Sequence, residues 1–414
     1  MKLKRYSIGI GDRFGCQGKA LLKAIIKAEK NGIDLAVVWN KSFREHQITK
    51  TDPNYVLKEA VDAMKALNWN GDFYIDADHI NLSNVDLFIK SCNYFTLDVA
   101  ECIGKSVSKK EVKKSIQNYY SYIDEGIIPF PHESIYTKEL EIDAIARKFL
   151  YTVKQTKKIY DKVKLNKGEG NFIIEISLDE AEINQTPFEL FFILSALSHN
   201  KIPIQTIAPK FTGSFNKGVD YEGDLKHFTE QFEQILTALQ IAKNNFNLPE
   251  NLKLSIHSGS DKFSLYPIIK NLMKKYNTGV HLKTAGTTWL EELIGLASVG
   301  NDGLEIVKQI YQKAYYRFDE LCSPYIKVVN INKSLLPHPK VIDTWNSEKL
   351  VTTLRHDLSP VDFNPNIRQF FHISYRIAAE MGSRYINALK KYEEIISENI
   401  IDNIYNKHIK SLFE

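Results

Sequence analysis

Gly71-Asp72-Phe73-Tyr74-Ile75-Asp76-Ala77-Asp78-His79 reads as an apolar strand that stops on an adjacent carboxylate and imidazole. A strand of that kind delivers chemistry to one edge of a sheet. Seven other short apolar runs end in the same manner, on Asp, Glu, His, Lys, Ser or Gly. Parallel strands buried on both faces read as such continuous runs, and their C-terminal ends carry the site.

Working outward, the strands are expected at Tyr6 to Ile10, Leu35 to Trp39, Phe73 to Ala77, Phe95 to Val99, Phe172 to Ile176, Ile202 to Ala208, Leu252 to Ile256 and Gly279 to Leu282. Segments of helical periodicity lie between them, for example Lys19 to Asn31, which Gly32 ends as a left-handed cap. Arg44, Glu45 and His46 fall in the loop after the second strand. Eight strand-helix units in about 290 residues match an α/β fold of the (β/α)8 barrel type, with a doubly wound open sheet as the alternative. The catalytic barrel is expected over residues 1–300, with a largely helical insertion at about 101–170 after the fourth strand. That insertion contains Pro129-Phe130-Pro131-His132 and reads as a lid or packing face. Residues 301–414 read as a largely helical extension packed on the barrel, including a helical segment from Ile367 to Tyr392.

The chain has 414 residues, 43% hydrophobic and 25% charged, and a formal charge of +4. That balance is ordinary for a soluble globular protein and gives no reason to invoke nucleic acid or a membrane surface. Cys16, Cys92, Cys102 and Cys322 form no CxxC pair, so neither a disulfide framework nor a thiolate zinc site is expected, and a reducing cytoplasm fits. No apolar run approaches the ~20 residues that span a bilayer. A small anionic substrate is compatible with all of this, as is a homo-oligomer.

Successive strand side chains point to opposite faces, so Glu175 shares a face with Ile173 and Ser177, while Phe172, Ile174 and Ile176 turn to the helix layer. Glu175 then points into the barrel, where an ionised carboxylate is costly without a metal, a cation or several donors. The same parity turns Thr96, Asp98, Ser255, His257, His281 and Lys283 inward. A structural ion pair is the plain reading of any one such group. Several at the same end of successive strands favour a site.

Asp78 and His79 cannot share a face if the strand runs through both, so the turn is expected to begin there. His79 and His257, with Glu175 or Asp220, make a nitrogen-oxygen set suited to Zn, Mn, Co or Ni. Lys210-Phe211-Thr212-Gly213 follows the sixth strand, Ser258-Gly259-Ser260-Asp261-Lys262 the seventh and Thr284-Ala285-Gly286-Thr287-Thr288 the eighth. Glycines, hydroxyls and a helix N-terminus at these loops are an anion cradle in many barrels, although turns and helix caps need the same residues. Lys210, Lys217, Lys262 and Lys283 favour a carboxylate or phosphate. His356-Asp357 and His372 in the extension read as structural.

Four strings stand out: Ser7-Ile8-Gly9-Ile10-Gly11-Asp12-Arg13-Phe14-Gly15, Gln205-Thr206-Ile207-Ala208-Pro209-Lys210-Phe211-Thr212-Gly213, Ser255-Ile256-His257-Ser258-Gly259-Ser260-Asp261-Lys262 and Lys283-Thr284-Ala285-Gly286-Thr287-Thr288-Trp289. With them the chain resembles the tagaturonate/fructuronate epimerase family, from the first strand to the extension. The resemblance implies a divalent-metal-dependent interconversion of D-tagaturonate and D-fructuronate in hexuronate catabolism. The two ketouronates differ at C4, β to the C2 ketone, so a retro-aldol and re-addition is the route expected, needing a base for the C4 hydroxyl and an electrophile for the enolate.

Under that reading His79, His257 and Asp220 are the expected metal ligands, with Glu175 contending for the same place. Asp78 and Glu175 are the expected acid/base pair, and Lys210, Lys262, Lys283 and Thr287 the holders of the substrate carboxylate. The rival readings are a metal-dependent ketose or ketouronate aldolase, and a non-catalytic barrel subunit supporting a partner aldolase.

Overall fold

The computed structural model describes residues 1–120, 127–129, 134–136, 139–357 and 363–414. Phe130, Pro131 and His132, expected in a lid or packing face, lie outside the described residues. Among the described residues ten strands occur in chain order: β1 (Tyr6–Ile10), β2 (Leu35–Ser42), β3 (Phe73–Ile80), β4 (Tyr94–Asp98), β5 (Ile127–Pro129), β6 (Ser134–Tyr136), β7 (Ile173–Ser177), β8 (Thr206–Ala208), β9 (Lys253–His257) and β10 (Val280–Lys283). All but β5 and β6 close into one parallel barrel in the order β1-β10-β9-β8-β7-β4-β3-β2. Closure is the (β/α)8 arrangement, and the open-sheet alternative falls away.

Two cores result. Ile8, Val37, Trp39, Ile75, Phe95, Ile174, Ile256 and Leu282 face the helices and belong to the large outer core. Leu3, Ala36, Val38, Tyr74, Tyr94 and Ile173 form a separate cluster that plugs the barrel interior at its N-terminal end. One step further along the strands the interior turns polar: Asn40 pairs in register with Asp76, Thr96 with Glu175 and His257 with Lys283. The apolar plug thus makes a floor beneath a layer of charge.

Several elements differ from the expectation for local reasons. Arg44, Glu45 and His46 are helical, in Phe43–Thr49, because Ser42 and Glu45 close a capping box in which each satisfies the other's backbone N–H. Strand β8 is short and begins at Thr206, the preceding Ile202 to Gln205 being tied by a tight Ile204-to-Ile202 backbone bond. The insertion carries helices Lys109–Tyr120 and Glu139–Lys167 and the antiparallel pair β5 and β6. The helical segment expected from Ile367 to Tyr392 consists of three helices, Pro365–Ile373, Tyr375–Met381 and Ser383–Lys391, with Gly382 at φ 58° breaking the last two apart.

The helices beyond residue 300 are bonded to the barrel through buried side chains. Trp289 Nε1 donates to the Phe371 carbonyl at 2.8 Å, and Tyr385 donates to Glu292 at 3.0 Å. Arg368, fully buried, reaches Asp261 at 2.6 Å. These contacts bring the extension over the C-terminal mouth of the barrel. Among the described residues no helix is long and apolar enough to cross a membrane.

Candidate active site

Strand β3 does not end at Ala77. It continues to Ile80 through a bulge: Ala77 pairs with Phe95 and Ile80 with Leu97, so three steps on β3 oppose two on β4. His79 takes up the slack at φ 55°, a left-handed conformation unusual for a residue with a Cβ. The bulge defeats the alternation rule, and Asp78 and His79 turn to the same cavity. His79 Nδ1 donates to Asp78 Oδ1 at 2.8 Å, which leaves Nε2 facing outward, 3.7 Å from Asp179 Oδ1.

The second imidazole is arranged in the same way. His257 Nε2 donates to Glu175 Oε1 at 2.9 Å, and its Nδ1 lies 3.1 Å from Asp179 Oδ2. That Nδ1 is buried yet makes no hydrogen bond, its approach to Asp179 being off line. One ligating atom each from His79, Asp179 and His257 lie within 4.8 Å of one another. Two imidazoles, each backed by a carboxylate and each aiming its other nitrogen at a shared third group, are the arrangement by which proteins orient histidine on a metal. The donor set fits a divalent cation, and among the described residues it is the only group that converges in this way.

Electrostatics point the same way. Burial pushes the His257 imidazole down, but Asp179 and Glu175 outweigh it and raise its pKa to about 9. His79 is likewise carried well above the ordinary range, against burial, by Asp78 and Asp179. Asp179 is held well below it, again against burial, by His257 and His79. The cavity therefore favours positive charge between these groups, and a bound cation would take the place of the protons.

Beneath them lies Lys283, whose Nζ is 2.7 Å from Asp76, 2.9 Å from Asp78 and 3.0 Å from Glu175. Burial disfavours its charge, yet the three carboxylates hold the ammonium well above its usual pKa. Glu175 is fully covered and also accepts from Tyr94 Oη at 2.8 Å and Thr96 Oγ1 at 3.2 Å. Burial pushes its carboxyl up, but Lys283 and His257 pull it well below the carboxylate range. Held by Lys283, His257, Thr96 and Tyr94, Glu175 fixes the orientation of its neighbours.

Above this floor opens a cleft of about 620 Å³. Asp78, His79, Asp98, Asp179 and Glu180 line it, as do Lys217, Gly259, Gly286 and His372. Lys210 lines it too, its Nζ donating to the Ala181 carbonyl. Lys262, Thr287 and Asp220 do not line it. Lys262 is fully buried and donates to the carbonyls of Asn216, Val219 and Asp261 at 3.0, 2.7 and 3.0 Å. Thr287 Oγ1 sits 3.1 Å from Asp261 and 3.0 Å from Asn403. Asp220 is occupied by Ser264, accepting from its N–H at 3.1 Å and its hydroxyl at 3.0 Å, and stands apart from the two imidazoles.

The carboxylate between the imidazoles, Asp179, was not among the expected ligands. The signal was present: the alternation that turns Glu175 and Ser177 inward reaches Asp179 in one more step. His372, expected to be structural, lies on the cleft wall because the extension crosses the mouth.

The profile of the UxaE tagaturonate epimerase family matches residues 1–412. A curated protein named tagaturonate/fructuronate epimerase, from Thermotoga maritima, is 26% identical over 98% of this chain and 79% of its own. The glycerol-complexed crystal structure of the fructuronate-tagaturonate epimerase UxaE from Cohnella laeviribosi superposes with a TM-score of 0.82 at 22% identity, over 100% of this chain and 82% of the other. The native structure of that protein gives 0.80 at 23% identity and the same coverage. The closed barrel, the enclosed cleft and the match along almost the whole sequence lead to one conclusion: the chain belongs to the tagaturonate epimerase family and is an enzyme of the isomerase class.

Proposed function

We propose that the enzyme interconverts D-tagaturonate and D-fructuronate at C4, with a divalent cation held by His79, Asp179 and His257. The observation that carries this is the pair of carboxylate-backed imidazoles meeting at Asp179, in a cleft large enough for a six-carbon acid. Zn, Mn, Co and Ni all suit two nitrogens and an oxygen. When bound, the ion supplies a Lewis acid for the substrate's ketone oxygen.

The remaining work falls to the chain. Asp98 lines the cleft, and burial raises its carboxyl pKa, a state suited to exchanging a proton with the C4 hydroxyl. Removal of that proton lets the C3–C4 bond break, its electron pair passing to the C1–C3 ketone fragment as an enolate while C4 becomes an aldehyde. The Lys283 ammonium adds fixed positive charge under the cavity where the enolate develops. Rotation of the aldehyde and attack by C3 on its other face re-form the bond, and Asp98 returns the proton. Asp78 and Glu175 keep the two imidazoles in the tautomers that leave Nε2 of His79 and Nδ1 of His257 open.

The test is an epimerisation assay on each ketouronate after chelation, with metals restored singly. Activity lost to chelator and returned by one of these ions is the expected result. Full activity in metal-free protein would sink the metal assignment, and accumulation of three-carbon fragments would make the enzyme an aldolase.

A further inference from the structure

The corner of the cleft where Lys217, Gly259, Gly286 and His372 meet has no assigned role. Lys217 stands there on a backbone that is fixed on every side. The carbonyl of Asn216 accepts from the buried Lys262, and the carbonyl of Gly218 accepts from the buried Arg368 at 2.7 Å. The Lys217 N–H itself donates to Val328 at 2.8 Å, and the Gly218 N–H to Ser260 Oγ at 2.8 Å. All this machinery holds one side chain whose ammonium has no carboxylate partner among the described residues.

His372 stands beside it, almost completely buried, with neither ring nitrogen hydrogen-bonded among the described residues. A buried imidazole in that state is costly unless something else completes it. The charges that bear on it most are all cationic, Arg13, Lys217, Arg368 and Lys262, and together with burial they hold its pKa well below the ordinary value. The two side chains meet at a glycine strip. A Cβ on Gly286 would lie 2.7 Å from His372 Nε2 and 2.2 Å from the Gly259 carbonyl, and one on Gly259 would lie 3.6 Å from Lys217 Nζ. Glycine at 286 thus lets the backbone pack directly against the Gly259 carbonyl and the His372 ring.

We propose that Lys217 and His372, over the Gly259–Gly286 strip, form the subsite that binds the substrate's carboxylate, in the same cleft as His79, Asp179 and His257. The carboxylate receives a charge-assisted hydrogen bond from Lys217 Nζ and a second from His372 Nε2–H. Asp78, Asp98, Asp179 and Glu180 in the same cleft repel that group, so a ketouronate binds in one direction, with its ketone toward the imidazoles. Lys262 and Arg368 act through the loop they pin and are positioning residues. This assignment rests on the ketouronate reading of the site.

The test compares Lys217→Met, His372→Phe and Lys217→Arg with wild type on D-fructuronate and on D-fructose, which has a hydroxymethyl where the acid has its carboxylate. Loss of one charge-assisted contact should raise KM for fructuronate by about ten- to a hundredfold, with a smaller change in kcat. The preference for the acid over the neutral sugar should fall by the same factor, and Lys217→Arg should recover most of it. Unchanged KM and unchanged preference in both Lys217→Met and His372→Phe, in folded protein, would overturn the subsite. If wild type epimerises neither ketouronate, the proposed reaction fails separately. The subsite is then judged by calorimetric binding of D-fructuronate: weakening in Lys217→Met sustains it, and equal affinity, or no binding to wild type, ends it.

Discussion

Two buried clusters in this enzyme are built from the same residue types and do opposite things. At the barrel mouth, Asp179 lies between His79 and His257. At the junction with the extension, Asp261 lies 3.0 Å from His356 Nδ1, 3.4 Å from His408 Nε2 and 2.6 Å from Arg368. The second cluster is sealed from solvent and its carboxylate is neutralised by a guanidinium, whereas the first lines a cleft, although each holds an imidazole nitrogen that makes no hydrogen bond among the described residues. A carboxylate among histidines is therefore not in itself a sign of chemistry. What separates the two is whether a permanent cation already fills the place where a ligand would sit.

The sharpest way to break this contrast is Asp179→Asn. Removing the shared charge should lower turnover by about 10³-fold and abolish bound metal, as read by rate and elemental analysis. Retained metal in that variant would make the two clusters equivalent. Asp261→Asn should do the reverse: it strands a buried Arg368, costing about 3–5 kcal/mol of stability in denaturant titration while leaving metal content intact. Glu175→Gln sits between them. Loss of the charge behind His257 should weaken metal affinity by about 10–100-fold, and excess metal should restore the rate.

The smallest effect expected is on pH. Burial opposes ionisation of Asp261, but Arg368 and His356 hold its pKa well below the ordinary 3.8. A depressed carboxylate contributes stability that is complete above about pH 4 and is lost as pH falls further, so the junction should loosen on acidification. Trp289, whose indole N–H is bonded to the Phe371 carbonyl across that junction, provides the local fluorescence probe. A Trp289 signal constant down to the global unfolding transition would show the junction and barrel to be one unit.

The barrel was legible because its physics is local and repeated. Each strand is a short apolar run, and parity along it assigns inward and outward faces, as it did for Thr96, Glu175, His257 and Lys283. Parity failed at Asp78 and His79, where one extra residue in β3 turns both toward the cavity, and no feature of the string Asp76-Ala77-Asp78-His79 announces a bulge. Loops were less legible still. Lys262, Thr287 and Asp220 have the side chains an anion or metal site needs, but the carbonyls and hydroxyls that occupy them come from residues distant in sequence. His372 could not be read from its neighbours at all, since its place depends on how the extension crosses the barrel.

That crossing also orders the enzyme's assembly in time. On a ribosome, the residues proposed to hold the cation emerge well before His372, and the extension must dock before His372 reaches the cleft. A nascent chain would thus hold His79, Asp179 and His257 before His372 could join them at the cleft.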